Sequence, residues 1–295
     1  MVRNSWMLAV LLILTGCTAT TEVEEALVSE ETIVDEPSLD ELLQDKRYVR
    51  QVYGELFTAN SPDELENILA KQLTQFDQQI GLVYKGQNLS PEDVEALLQK
   101  LRINHDMIGG TLFYYEFAVV PIEQGVFLDL FSRFTTNKME MASILPKRDA
   151  LLTSLQLEGK SEPEKLEIIH RAIIEGMDYN FEYDDLVTDH SPAGFFLYGS
   201  GVCQAYASAM HMLLVEAGFE AKLVYGELKS AIVNDTKHIW NLVKVDGKWR
   251  HVDATSNDRG AGFDNQVSKV YFMLTDEQLE ATHIWNQKDY PKADQ

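Results

Sequence analysis

Apolar residues enter this chain first as one uninterrupted block, Trp6 to Leu14, then thin out, and from residue 46 onward recur with the periods of secondary structure. Ser61-Pro62-Asp63-Glu64 and Ser90-Pro91-Glu92-Asp93 each set a capping residue before a proline and acids, and Leu65, Ile68 and Leu69 follow the first at helical spacing, so both sites predict helix starts. Residues 80–84, 111–120 and 126–134 are rich in β-branched and aromatic side chains and predict strands, with Pro121 and Gly125 punctuating the last two into a hairpin. Residues 161–176 predict a helix opened by a Ser161–Glu164 capping box, with Leu166, Ile169, Ala172 and Ile173 on one face. Residues 203–217, rich in Ala, Met and Leu, predict a further helix that stops at Gly218. Two strand-like runs, 238–245 and 248–255, flank Asp246-Gly247, a dipeptide that favours a two-residue type I′ turn.

The pattern divides the chain into four parts. The apolar block after Arg3 is too short to span a bilayer, and residues 1–16 read as a signal peptide. The block runs into Leu14-Thr15-Gly16-Cys17, which resembles a bacterial lipobox and implies that Cys17 is lipidated, anchoring an exported chain to the extracytoplasmic face of a membrane. Residues 17–45 carry ten acids after Cys17 and no Lys or Arg, which predicts an acidic, disordered tether. Residues 46–157 read as an α+β module without catalytic spacing, where His105 stands alone, and 158–295 as a second α+β domain, the boundary falling near Glu158. With 295 residues, 45% hydrophobic, there is length enough for both cores. The formal net charge of −22 leaves no basic face for phosphates, so nucleic acid is excluded as a partner.

With Cys17 committed to lipid, Cys203 is the one cysteine left in the mature chain, and no intramolecular disulfide is available. Gly199-Ser200-Gly201 lead flexibly into it, placing it in a first helical turn, where unpaired N–H groups and the positive end of the dipole favour thiolate over thiol. A two-residue turn at Asp246-Gly247 pairs Val245 with Lys248, so Trp240 faces Asp253 and His238 becomes its diagonal neighbour on the same face. Thiol, imidazole and carboxylate then make up a nucleophile, base and orienter. His251 shares that face but sits nearer the turn, and His238 is the preferred base. His170, His190, His211 and His283 read as surface or core histidines. No His/Cys pair has metal spacing, neither zinc nor calcium is expected, and no cofactor is required.

Three blocks, Gly201-Val202-Cys203-Gln204-Ala205-Tyr206-Ala207, Lys237-His238-Ile239-Trp240-Asn241-Leu242-Val243 and Gly247-Lys248-Trp249-Arg250-His251-Val252-Asp253-Ala254-Thr255, resemble in order and spacing the motifs of bacterial transglutaminase-like domains. The resemblance covers the chain from about Ser161 to its end. It implies a papain-like α+β fold, a central helix packed on an antiparallel sheet, and Cys203, His238 and Asp253 as catalytic residues. It also implies that Tyr179, Gln204 and Trp240 line the acyl pocket or support the oxyanion. Ala205 stands where the family usually has glycine, Ile239 where it has alanine and Ser256 where it has tryptophan. The activity so implied is acyl transfer on protein or peptide amides at the cell surface, hydrolysis being favoured over cross-linking because bulk water surrounds an exported enzyme. The competing expectation is a surface lipoprotein that keeps the fold as a binding or scaffold module without turnover.

Overall fold

A computed structural model describes residues 37–44, 55–181, 187–229, 237–258 and 268–294. The expected signal peptide, the lipobox with Cys17 and most of the expected tether lie outside the described residues. The chain falls into two compact units, one formed by residues up to 99 with 112–134, the other by residues 100–111 with 135 onward.

The first unit is built on a four-stranded sheet. Strands β1 (Leu56–Ala59) and β2 (Gln79–Tyr84) are parallel, while β4 (Gly125–Phe134) runs antiparallel to β2 and to β3 (Leu112–Ile122), in the order β1-β2-β4-β3. Helix α2 (Pro62–Thr74) joins the parallel pair, and it starts as its sequence requires: the Glu64 N–H donates to Ser61 Oγ, and the Asn60 N–H donates to the Glu64 carboxylate. The β3–β4 hairpin turns at Glu123-Gln124, with Ile122 opposite Gly125. Pro121 lies inside β3 and does not break it, because β3 is an edge strand where a missing N–H costs nothing. Helix α1 (Leu39–Gln44) falls within the segment expected to be tether; it buries Leu42 beside Val83, Ile122 and Phe127, an apolar anchor that outweighs the surrounding acids.

The second unit places one helix against one sheet. Helix α7 (Cys203–Glu216) is apolar around its circumference and buried from Ala205 to Leu214, as a helix enclosed on all sides must be. The sheet is antiparallel throughout, in the order β10 (Phe272–Leu274), β9 (Lys248–Val252), β8 (Lys237–Val245), β7 (Ala221–Leu228) and β11 (His283–Trp285). This is the α+β arrangement expected from the sequence, a central helix on an antiparallel sheet. To this unit belong also the last residues (100–104) of α3 (Pro91–Asn104), α4 (Asp106–Gly109), α5 (Lys138–Ser154) and α6 (Glu162–Gly176). Residues 155–161 join α5 to α6, and Ser161 and Glu164 form the capping box of α6. A parallel pair, β5 (Asp178–Tyr179) and β6 (Ser200–Gly201), leads directly into α7. The hairpin pairs Val245 with Lys248, with Asp246 (φ 49°) and Gly247 (φ 80°) both left-handed, as a type I′ turn demands. Strand β9 ends earlier than its apolar pattern predicts, at Val252, because Asp253 turns the chain into the short helix α8 (Ala254–Asn257).

Candidate active site

Cys203 is the first residue of α7. Val202 before it is extended, its N–H donating to the Asp189 carbonyl at 3.0 Å, and its own carbonyl accepts from the N–H groups of Ala205 and Tyr206. No side chain caps the helix, so the first-turn N–H groups around Cys203 are of the kind left without an intrahelical acceptor. The cysteine is free and half-buried, packed beside Ala207, Leu223 and Ile239. Its geometry is held from the other side by Gly201, where an added Cβ would come within 2.6 Å of the Ala205 methyl.

His238, on β8, lies near enough to Cys203 for the thiol to raise its basicity. Its Nε2 lies 2.8 Å from Asp253 Oδ2, which leaves Nδ1 as the nitrogen for the sulfur. The strand register accounts for this contact, since Asn241 pairs with Val252 and the next positions are Trp240 and Asp253. Burial by itself would lower the basicity of His238, but the Asp253 charge and hydrogen bond, reinforced by Cys203, push its pKa up to about 10. Burial likewise opposes ionisation of Asp253, yet the neighbouring His238, with hydrogen bonds from His238, His283 and the Ser256 N–H, holds the carboxyl far below the usual carboxylate range. The pair is therefore a buried imidazolium and carboxylate, 7% and 1% exposed.

Asp253 also makes a contact that the sequence reading did not anticipate. Its Oδ2 accepts from His283 Nε2 at 3.1 Å, and its Oδ1 accepts from the Ser256 N–H at 3.1 Å as the cap of α8. His283, read from sequence as an ordinary structural histidine, thus belongs to the site. The signal that would have found it is a repeat: His283-Ile284-Trp285 duplicates His238-Ile239-Trp240. The two tripeptides sit on β11 and β8 with β7 between them, where Gly226 pairs with both Trp285 and His238. A Cβ at Gly226 would meet the Trp240 ring at 2.7 Å, so its absence is what lets the aromatic and imidazole rings close over the intervening strand. One ligand atom from each of His238, Asp253 and His283 lies within 4.8 Å of the others, a spacing that would serve one cation as well as the two hydrogen bonds.

The remaining predicted residues are placed as follows. Trp240 is buried behind His238, with its indole N–H donating to His251 Nδ1 at 3.0 Å. His251 donates in turn from Nε2 to Asp276 at 2.9 Å, so both of its ring nitrogens are engaged by groups other than Cys203. Gln204 sits beside Cys203 in the first turn and reaches the Gly110 carbonyl at 3.5 Å. Tyr179 is half-buried on β5, paired with Gly201, its ring 6.3 Å from that of Tyr206 and 4.8 Å from that of Phe181. Of the three departures from the family pattern, Ala205 fits because Gly201 and Gly194 lack side chains beside it, Ile239 packs under Cys203, and Ser256 contributes its backbone N–H to Asp253.

The model of the transglutaminase-like superfamily matches residues 150–254, a span that contains Cys203, His238 and Asp253. No curated protein matches the chain. Among solved structures, similarity extends to a TGase (12% identity over 71% of this chain and 63% of that one, TM-score 0.37). It extends also to a cysteine-protease candidate from Cytophaga hutchinsonii (15% identity, 46% and 55%, TM-score 0.31). A third is the periplasmic domain of TgpA from Pseudomonas aeruginosa, in a structure with ethylmercury (21% identity, 48% and 60%, TM-score 0.30). The chain spans less than two thirds of the length of each of these three.

Proposed function

We propose, from the premise that residues 150–254 form a transglutaminase-like domain, that this chain is a thiol acyl-transfer enzyme acting on protein or peptide amides. The observation that carries the reading is the placing of one imidazole between a helix-start sulfur and a carboxylate: His238 is hydrogen-bonded to Asp253 at 2.8 Å and lies near enough to Cys203 for the thiol to raise its basicity. The raised basicity of His238 suits it to take the proton of the neighbouring thiol as Cys203 attacks. The thiolate attacks the amide carbonyl, and the oxyanion that forms takes a hydrogen bond from the Cys203 N–H at the positive end of α7. His238 gives its proton to the departing amine as the carbon–nitrogen bond breaks, leaving a thioester on Cys203. Water or a second amine then attacks the thioester, His238 takes up the incoming proton, and the thiolate leaves. Water as acceptor gives a protease, amidase or deamidase; a lysine amine gives a cross-link.

An N-terminal lipid on Cys17 would hold this chemistry at the outer face of a membrane, an extension of the proposal supported by the Leu14-Thr15-Gly16-Cys17 sequence. The deciding experiment traps the acyl group. Incubation with a cell-surface peptide library, acid quench and mass spectrometry of the Cys203 peptide should reveal a thioester adduct that is absent from Cys203→Ala. If no library yields an adduct, and Cys203 alkylation at pH 7 is as slow in the native protein as in His238→Ala, the acyl-transfer reading fails and a binding module remains.

A further inference from the structure

We propose that His283 is a positioning residue for the Cys203–His238–Asp253 reaction, acting through Asp253, whose Oδ2 it shares with His238. The inference rests on the acyl-transfer reading of that site and adds a fourth side chain to it.

Both imidazoles reach the same carboxylate oxygen, His238 at 2.8 Å and His283 at 3.1 Å. Since the carboxylate is ionised and accepts only, the Nε2 of His283 must carry a hydrogen. Its Nδ1 lies 2.8 Å from Thr282 Oγ1, which has a single hydrogen to give and an alternative acceptor, the Leu279 carbonyl, at the longer distance of 3.4 Å. The neutral Nε2–H tautomer satisfies every one of these groups: Thr282 donates to Nδ1, and Nε2–H donates to Asp253. The ring cannot tip out of this position. It is 1% exposed, with Trp240 edge-on at 4.9 Å, Tyr271 at 5.5 Å and His238 at 5.6 Å between ring centroids.

His283 does two things from there. Together with the Ser256 N–H on Oδ1 it fixes the rotation of the carboxylate, so that Oδ2 stays in line with His238. It also draws on the same lone-pair density that His238 uses, which weakens the pull of Asp253 on the His238 proton and keeps that proton transferable to a leaving amine. Among the described residues, the charged and titratable groups around the Asp253 carboxylate are these two histidines and His170, which also feels the Asp253 charge, with Tyr271 against the His283 ring and Cys203 beside His238.

Four proteins test it: native, His283→Phe, which fills the ring volume without a donor, His283→Gln, whose side-chain amide restores one, and His238→Ala as the comparison for thiol reactivity. In native protein the imidazole nitrogen resonances should report His283 protonated at Nε2 and bare at Nδ1; the opposite tautomer overturns the proposal, since it cannot donate to Asp253. In His283→Phe the low-field resonance of the His238 Nε2 proton should move further downfield, because the carboxylate now serves one imidazole, and turnover of a trapped substrate should fall roughly tenfold, the scale of one hydrogen bond to a charged acceptor, with KM little changed. His283→Gln should return both toward native. Should His283→Phe not fold, the native tautomer and the His283→Gln resonance decide alone, an unrecovered resonance counting against. Alkylation by iodoacetamide at pH 7 separates the two levels of failure. His238-dependent alkylation with an unmoved His238 proton in folded His283→Phe removes this proposal only, whereas alkylation indifferent to His238→Ala removes the acyl-transfer reading and this proposal with it.

Discussion

Trp240 lies over His238 with ring centroids 6.0 Å apart and planes inclined by 21°, while its indole N–H is held by His251 Nδ1 at 3.0 Å. Burial pulls His251 toward its neutral form, against the bond to Asp276, so it offers Nδ1 as an acceptor and the indole is fixed in its plane. Trp240→Phe keeps an aromatic behind His238 but strands a buried imidazole nitrogen, at a cost of about 1–3 kcal/mol. Trp240→Ala also opens a cavity and should cost about 3–5 kcal/mol. Urea unfolding of both variants would measure the difference, and equal losses would mean that the His251 contact contributes nothing.

The His238–Asp253 pair makes stability depend on alkaline pH. Folded protein retains the His238 proton up to about 10, whereas the unfolded chain releases it near ~6.5. Between those values the native state binds the extra proton, so this contribution is complete below ~6.5 and is lost as pH rises toward about 10, at up to about 1.4 kcal/mol per pH unit. Chemical denaturation at pH 7 and pH 9.5 should show the decline in native protein and a much flatter response in His238→Asn. A native protein equally stable at both values would contradict the buried ion pair.

His170 should govern the acid side. The Asn257 amide is oriented by its oxygen, which accepts from the Tyr271 N–H, so its nitrogen donates to His170 Nε2 and requires that nitrogen to be unprotonated. Burial, only partly offset by Asp253, lowers the His170 pKa to about 4. The unfolded chain therefore takes up a proton that the folded protein refuses, and stability present above ~6.5 is lost as pH falls toward about 4. Thermal melts at pH 7 and pH 5 should separate by more in native protein than in His170→Gln, and parallel shifts in the two would refute the assignment.

What was legible in the sequence is what depends on neighbours in the chain. The Ser161 capping box, the start of α7 at Cys203, the Asp246-Gly247 turn and the hairpin register that sets Asp253 against His238 all follow from spacing over a few residues. The role of His283 depends on β7 separating β8 from β11, and on a glycine at position 226 that lets rings meet across it, neither of which periodicity encodes. The apolar alternation runs on to Ala254 and predicts a strand through Asp253, whereas the Asp253 side chain caps α8 through the Ser256 N–H. Strand β7 is illegible for the same kind of reason: its residues make sense only between two partners.

The approach to Cys203 yields the last prediction. Gly201 precedes the nucleophile by two residues, and a methyl there would meet the Ala205 Cβ at 2.6 Å, the Met177 methyl at 3.0 Å and the Asp189 carbonyl at 3.1 Å. The first distance is closer than packed carbons allow, so Gly201→Ala must shift the start of α7 and with it the sulfur, at about 1–3 kcal/mol of stability and with slower Cys203 alkylation at pH 7. Ala205→Gly alone should cost about 1 kcal/mol through helix propensity. Combined, the two changes remove the closest clash and leave contacts to a flexible methionine end and one carbonyl, so the double variant should be less destabilised than the sum of the singles, with a coupling of about 0.5–3 kcal/mol. Urea unfolding of the four proteins closes the cycle. Additive losses would mean that the Gly201–Ala205 approach does not set the position of the helix that carries the thiol.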